Sequence, residues 1–259
     1  MTIDKKAKMN KITRNDKILI ATLDHGLTIG PVDGLKNIDE TINNAQKGGA
    51  SAILTHKGIM KNLKTSVNIG KIVHLSASTN LSVFQDEKVI VGNVENAIKL
   101  GADAISVHIN IGSDYDQDML VDLGQISDEC DNSNIPLIAM MYPRGEKITD
   151  PYDAKTVAHV ARIGAELGAD IVKTVYTGSV ETFKEVVESC PVPIIIAGGS
   201  KVETDKDLLK MVSDSMEAGA VGVSFGRNIF EHKTQEKITR AIASIIFEKK
   251  SVEQAMSVI

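Results

Sequence analysis

The sequence predicts an α/β protein, a single (β/α)8 TIM barrel spanning residues 1–259. Three observations predict it. First, a helical pattern ends in Gly-Ala and an apolar run follows at once at Gly49-Ala50, Gly101-Ala102, Gly168-Ala169 and Gly219-Ala220. Glycine in the left-handed conformation closes a helix, so each copy reads as a helix feeding a strand, and dispersed copies mean repeated βα units. Second, eight strand-like runs alternate with helical patterns, which favours a closed parallel barrel over an open doubly wound sheet. Third, 259 residues with a hydrophobic fraction of 42% suit one such barrel, and no linker, low-complexity tract or composition shift divides the chain.

In chain order, residues 1–15 read as a polar N-terminal extension ahead of the first strand, Lys17 to Asp24. The further strands are Ala52 to His56, Lys71 to Ser76, Ala104 to Ile109, Pro136 to Tyr142, Ile171 to Val175, Pro193 to Ala197 and Val221 to Phe225. Helical periodicity covers Asn37 to Lys47, Val94 to Leu100, Gln117 to Cys130, Asp153 to Leu167, Val180 to Glu188, Asp205 to Glu217 and Thr234 to Phe247. Between Lys61 and Val91 the pattern is least regular, and Val89-Ile90-Val91 is a spare apolar run that no strand of the barrel requires.

Composition excludes several classes of function. A formal net charge of -5 argues against nucleic-acid binding, which needs a basic face. Cys130 and Cys190 lie far apart and form no metal or redox motif, so they read as buried thiols of a cytoplasmic protein. No apolar run is long enough to span a membrane, and residues 1–15 lack a signal-peptide core.

In a parallel barrel the C-terminal ends of the strands form the active face. Strand one delivers Asp24-His25-Gly26 there, strand two His56-Lys57-Gly58, strand four His108, strand five Tyr142-Pro143-Arg144-Gly145, and strand six Lys173. A lysine at the inner end of the apolar run Ile171 to Val175 is desolvated, its pKa falls, and the neutral amine can add to a carbonyl to form a Schiff base. That chemistry also needs groups to move protons, which Asp24 and Tyr142 can supply. Structural readings stand beside these: Lys173 snorkelling or ion-paired, Asp24 capping a loop or pairing with Arg144, Tyr142 as a wall residue. Lys57 is a rival amine better read as structural. His25, His56, His74 and His108 together suggest a competing divalent-metal site, although none has close ligand spacing. At strands seven and eight, Ala197-Gly198-Gly199-Ser200-Lys201 and Phe225-Gly226-Arg227-Asn228 put glycine beside a cation or hydroxyl, the composition of a backbone-amide phosphate site.

These residues carry a resemblance. Leu23-Asp24-His25-Gly26, Met140-Met141-Tyr142-Pro143-Arg144-Gly145, Ile171-Val172-Lys173-Thr174, Ala197-Gly198-Gly199 and Gly226-Arg227-Asn228-Ile229-Phe230 resemble the archaeal-type class I aldolase family, in order over nearly the whole chain. The resemblance implies that Lys173 forms the Schiff base, Asp24 accepts a proton and Tyr142 donates one. It further implies that His25, Gly26, Leu27, Thr28, Pro143 and Arg144 line the substrate, while Gly198, Gly199, Gly226 and Arg227 hold its phosphate. Such a mechanism uses no cofactor and no metal; the partners implied are a phosphorylated ketose and an aldehyde, with no nucleic acid or membrane, in a homo-oligomer. Two activities of the family are open. One is a transaldol reaction passing a fragment of a 6-deoxy-5-ketofructose phosphate to L-aspartate semialdehyde, on an early route to 3-dehydroquinate. The other is cleavage of fructose 1,6-bisphosphate. Met140 stands where the bisphosphate aldolases of the family carry tryptophan, and the chain has none, which favours the transaldol reaction. A barrel that binds a phosphate ligand without catalysis is the reading from another class.

Overall fold

Each of the four Gly-Ala junctions closes a helix in the structure, a computed structural model that describes residues 1–259. Gly49, Gly101, Gly168 and Gly219 all have φ between +83 and +106. The alanine that follows donates its N–H to the carbonyl five residues back, as in Ala50 to Ala45 at 3.0 Å and Ala169 to Gly164 at 3.1 Å. This pattern ends a helix sharply and turns the chain into the sheet.

The strands are β1 (Ile18–Thr22), β2 (Ala52–His56), β3 (Gly70–His74), β4 (Ser76–Ala77), β5 (Val89–Ile90), β6 (Ala104–Ile111), β7 (Leu137–Pro143), β8 (Ile171–Thr174), β9 (Ile194–Ala197) and β10 (Gly222–Phe225). Eight of them close a parallel barrel in the order β1-β10-β9-β8-β7-β6-β3-β2, the (β/α)8 fold the sequence predicts. The spare run Val89 to Val91 has its own role: Val89–Ile90 pairs antiparallel with Ser76–Ala77 as an arm outside the barrel, between β3 and β6.

The helices are α1 (Ile3–Ile12), α2 (His25–Ile29), α3 (Ile38–Gly48), α4 (Lys57–Asn62), α5 (Val94–Lys99), α6 (Asp116–Asn132), α7 (Ala154–Glu166), α8 (Val180–Ser189), α9 (Asp205–Glu217), α10 (Arg227–Phe230), α11 (Gln235–Glu248) and α12 (Val252–Met256). None is long and apolar enough to cross a membrane. Side chains alternate along each strand, so the buried apolar residues fall into two sets. Ile18, Ile20, Leu54, Ile72, Ile138, Met140, Ile171 and Ile195 fill the barrel interior, while the opposite faces, such as Leu19, Ile53, Val73 and Val172, pack on the surrounding helices.

The N-terminal segment expected as a polar extension is instead helical over Ile3–Ile12. Helix α1 lies across the bottom of the barrel: Ile12 is fully buried among the interior residues, and Lys5 reaches Asp131 at 2.6 Å and Asp170 at 2.7 Å. Asp170, just after a Gly-Ala junction, also accepts the backbone N–H of Leu137 at 2.8 Å, and Asp103 likewise accepts from Lys71 at 3.1 Å. These carboxylates join the start of a neighbouring strand to the bottom closure. The mouth is thereby left free for other chemistry.

Candidate active site

Because alternate residues face inward, Asp24, His56, His74, His108, Tyr142 and Lys173 share the interior parity of their strands or strand ends. Register sets their heights: His56 pairs with His74, His74 with Ser106, His108 with Met140, and Met140 with Lys173. Period two therefore collects at one end of the barrel a set that the sequence scatters over about 150 residues.

Lys173 lies in β8 with apolar interior neighbours, Met140 on one side and Ile195 on the other. Its side chain is 5% exposed, and its Nζ meets Met140 Sδ at 3.9 Å. No carboxylate pairs with it at ion-pair distance, unlike Lys5 at the opposite end. Burial lowers the amine to about 8, with the Asp24 carboxylate pulling weakly the other way. The ion-paired and snorkelling alternatives do not describe this side chain.

Asp24 follows β1 and caps no helix with its side chain. Burial alone would raise its pKa. The His25 contact, the His74 imidazole and the Lys173 ammonium together outweigh burial and hold the carboxyl well below its usual range. Asp24 Oδ1 lies 3.2 Å from His25 Nδ1, but the contact is poorly aligned and neither atom has a directed hydrogen-bond partner. His74 Nε2 is 3.7 Å from Asp24 Oδ2, and its Nδ1 meets Ser106 Oγ at 2.7 Å. Burial drives His74 down to about 3, so its ring is neutral near pH 7.

Tyr142 is nearly buried in β7, and burial raises its phenol, keeping it protonated. The His108 ring stacks edge-on at 4.9 Å, and the Arg144 guanidinium lies 5.6 Å from the Tyr142 ring. Burial also holds His108 well below its ordinary value, and its Nε2 meets Asn110 Oδ1 at 2.9 Å. The structure thus offers an amine of lowered pKa, an ionised carboxylate and a protonated phenol at one end of the barrel. Such a set can attack a carbonyl and move protons on both sides of it.

Between the adjacent strands β9 and β10 the two glycine turns lie side by side. Arg227 Nη2 donates to the Gly199 carbonyl at 2.7 Å, and Asn228 Nδ2 to the Gly198 carbonyl at 3.0 Å. In a trans peptide the carbonyl and the following N–H point oppositely, so the amides of Gly199 and Ser200 face away from these side chains. Arg227 Nε is buried without a partner, a donor that a bound anion would satisfy. A Cβ on Gly226 would stand 2.3 Å from His25 Cε1 and 2.9 Å from the Thr22 carbonyl, so only glycine fits.

Of the other expected lining residues, Pro143 is buried at the end of β7, while Gly26, Leu27 and Thr28 lie on α2 with Leu27 exposed at the rim. Lys57 opens α4, and its Nζ donates to the Val91 carbonyl, tying α4 to the arm as its structural reading expects. No group of three or more His, Cys, Asp or Glu side chains converges as a metal-binding set, and His25, His74 and His108 each have the separate contacts given above. Three contributors escape the sequence reading: Ser106, Asn110 and Lys88. The first two share the parity of His108 and are findable from it, whereas Lys88 lies in the irregular stretch before the spare run.

Comparison with known proteins gives the family and the fold. Residues 18–232 match the DeoC/LacD family aldolases. A 2-amino-3,7-dideoxy-D-threo-hept-6-ulosonate synthase of Halobacterium salinarum is 41% identical over 254 residues, covering 98% of this chain and 95% of the relative. The class 1 fructose-bisphosphate aldolase of Thermoproteus tenax is 33% identical over 253 residues, 95% of each. A solved structure of a Schiff base forming fructose-1,6-bisphosphate aldolase superimposes with a TM-score of 0.87 at 32% identity, covering 94% of this chain and 100% of that one.

Proposed function

This chain belongs to the DeoC/LacD aldolase family, and we propose that it works through a Schiff base on Lys173 as a 2-amino-3,7-dideoxy-D-threo-hept-6-ulosonate synthase. The observation that carries the lysine mechanism is the buried Lys173 amine, held near 8 inside the barrel mouth with the Asp24 carboxylate in electrostatic reach. The neutral amine adds to the ketone of a 6-deoxy-5-ketofructose 1-phosphate. Tyr142 gives a proton to the carbonyl oxygen as it becomes a hydroxyl, and water leaves to form the iminium. Asp24 takes the proton of the hydroxyl beside the scissile bond. That bond's electrons move into the iminium as an enamine, and an aldehyde carrying the phosphate departs. The enamine carbon then bonds to the aldehyde carbon of L-aspartate semialdehyde, whose oxygen takes the proton back from Asp24, and water adds to the regenerated iminium to release the product, reprotonate Tyr142 and free Lys173.

The synthase is favoured over the bisphosphate aldolase by two observations: the higher identity to the synthase, and Met140 against Lys173 in a chain without tryptophan. Fructose-1,6-bisphosphate aldolase is the second reading, supported by full-length similarity to such enzymes.

Intact-protein mass spectrometry after incubation with ketose phosphates and sodium borohydride tests both. A reduced adduct mapped to Lys173 and insensitive to chelator is expected, and the ketose giving it separates the two activities. No adduct, with cleavage abolished by chelator, transfers the chemistry to a metal; no adduct and no cleavage leave a binding protein.

A further inference from the structure

The glycine turns after β9 and β10 hold only one end of the mouth. In the closed order β1-β10-β9-β8-β7-β6-β3-β2, the strand four places from β10 is β6 and the strand four places from β9 is β3. The β4–β5 arm is inserted between those two strands, so it rises directly across the mouth from the glycine turns. Several contacts fix it there. Ser76 Oγ accepts from His108 N at 2.8 Å, the Asp86 carbonyl accepts from Asn110 Nδ2 at 2.7 Å, and Asn80 N donates to the Thr28 carbonyl at 3.0 Å.

The arm carries Lys88. Its Nζ donates to Ser78 Oγ and to the Gln85 carbonyl at 3.0 Å, which leaves one ammonium hydrogen unassigned. Lys88 lies within electrostatic reach of His108, His74, Arg144, Asp86 and Asp24, and burial together with Arg144 lowers it to about 8 against the pull of the two carboxylates. Neither Lys88 nor Arg144 is in an ion pair, whereas Lys5, Lys11 and Lys210 elsewhere are. Two cations that repel each other beside a buried site, neither of them held in an ion pair by the nearby Asp86 or Asp24, favour an anionic group between them.

Resting on the aldolase reading above, we propose that Lys88 is a specificity residue: with Arg144 it receives the anionic group of the aldehyde fragment, at the end of the mouth remote from the glycine turns. The shared chemistry is a carboxylate or phosphate on that fragment: the carboxylate of an amino-aldehyde acceptor, which enters where the aldehyde phosphate departs, or the second phosphate of a ketose bisphosphate.

The test compares wild type, Lys88→Met and Lys88→Arg on two matched pairs: L-aspartate semialdehyde with butyraldehyde as acceptors, and fructose 1,6-bisphosphate with fructose 1-phosphate as donors. Loss of a charge-assisted contact corresponds to roughly a ten- to hundredfold rise in KM. That rise is expected in Lys88→Met for one anionic member only, with its neutral-ended counterpart unchanged and Lys88→Arg partly restored. A rise confined to the semialdehyde assigns the carboxylate, and one confined to the bisphosphate assigns the second phosphate. Equal rises within each pair, or none, overturn the proposal while borohydride trapping at Lys173 stands. Absence of any wild-type adduct defeats the aldolase reading and this inference with it.

Discussion

Replacing Lys173 by methionine should abolish activity and make the protein more stable. The folded state holds this amine near 8 against an ordinary value of 10.5, because burial disfavours the ammonium. At pH 7 about one Lys173 in eleven is then neutral, compared with roughly one in three thousand for a free lysine, about a 300-fold gain in nucleophile. The same shift is a cost to folding. Between about pH 8 and 10.5 the unfolded chain binds a proton that the folded chain has lost, so wild-type stability rises with pH across that window. Below pH 8 the deficit is at its full value, about 3 kcal/mol from the size of the shift. Methionine has similar length, carries no charge and meets Met140 on apolar terms, so Lys173→Met should gain up to about 3 kcal/mol at pH 7, less what Asp24 loses with its neighbouring cation. Urea unfolding of both proteins from pH 7 to 10.5 measures this, and the difference should shrink towards the alkaline end. A less stable variant at pH 7, or a difference independent of pH, would refute the desolvated-amine argument. Wild-type borohydride trapping should show the matching inflection, its rate climbing up to about pH 8 and levelling beyond.

Tyr142→Phe should still trap substrate on Lys173 but turn over roughly 10²- to 10⁴-fold more slowly, because it removes a proton donor and no binding charge; unchanged turnover in steady-state assays would assign that proton elsewhere. Ser106→Ala strands His74 Nδ1 in the interior and should cost about 1–3 kcal/mol in chemical unfolding, without loss of the borohydride adduct. Gly226→Ala forces a methyl group onto His25 and the Thr22 carbonyl, so the KM for a phosphorylated ketose should rise at least about tenfold, while a circular dichroism spectrum like that of wild type shows the fold retained.

Much of this was legible in the chain because a barrel repeats one physical instruction. Gly-Ala after an amphipathic stretch marks four helix ends, and apolar runs mark all eight barrel strands, which puts Lys173, Tyr142 and Asp24 at strand ends from the sequence alone. What could not be read was decided by contacts between distant residues. Helix α1 has little apolar surface of its own; it is held by Ile12 inside the barrel and by Lys5 on two carboxylates more than a hundred residues away, a relation no local period encodes. The run Val89 to Val91 counted as surplus because strand patterning does not distinguish a barrel strand from a two-residue pairing outside it. Lys88 carries no signal in the local sequence, because its position across from the glycine turns follows from the circular strand order alone.

Helix α1 also sets a timetable for the newborn chain. Lys5 emerges from the ribosome early, yet Asp131 follows it by 126 positions and Asp170 comes later still. Until β8 has been synthesised, the first helix has only part of its dock, and the seam between β1 and β10 stays open until residue 222 is available. Strand β1 must therefore be kept from wrong partners until β10 is made, which gives the barrel a long-range, slow closure. Circularly permuting the protein so that α1 is made last would reverse that order, with the chemistry at the far end of the barrel untouched.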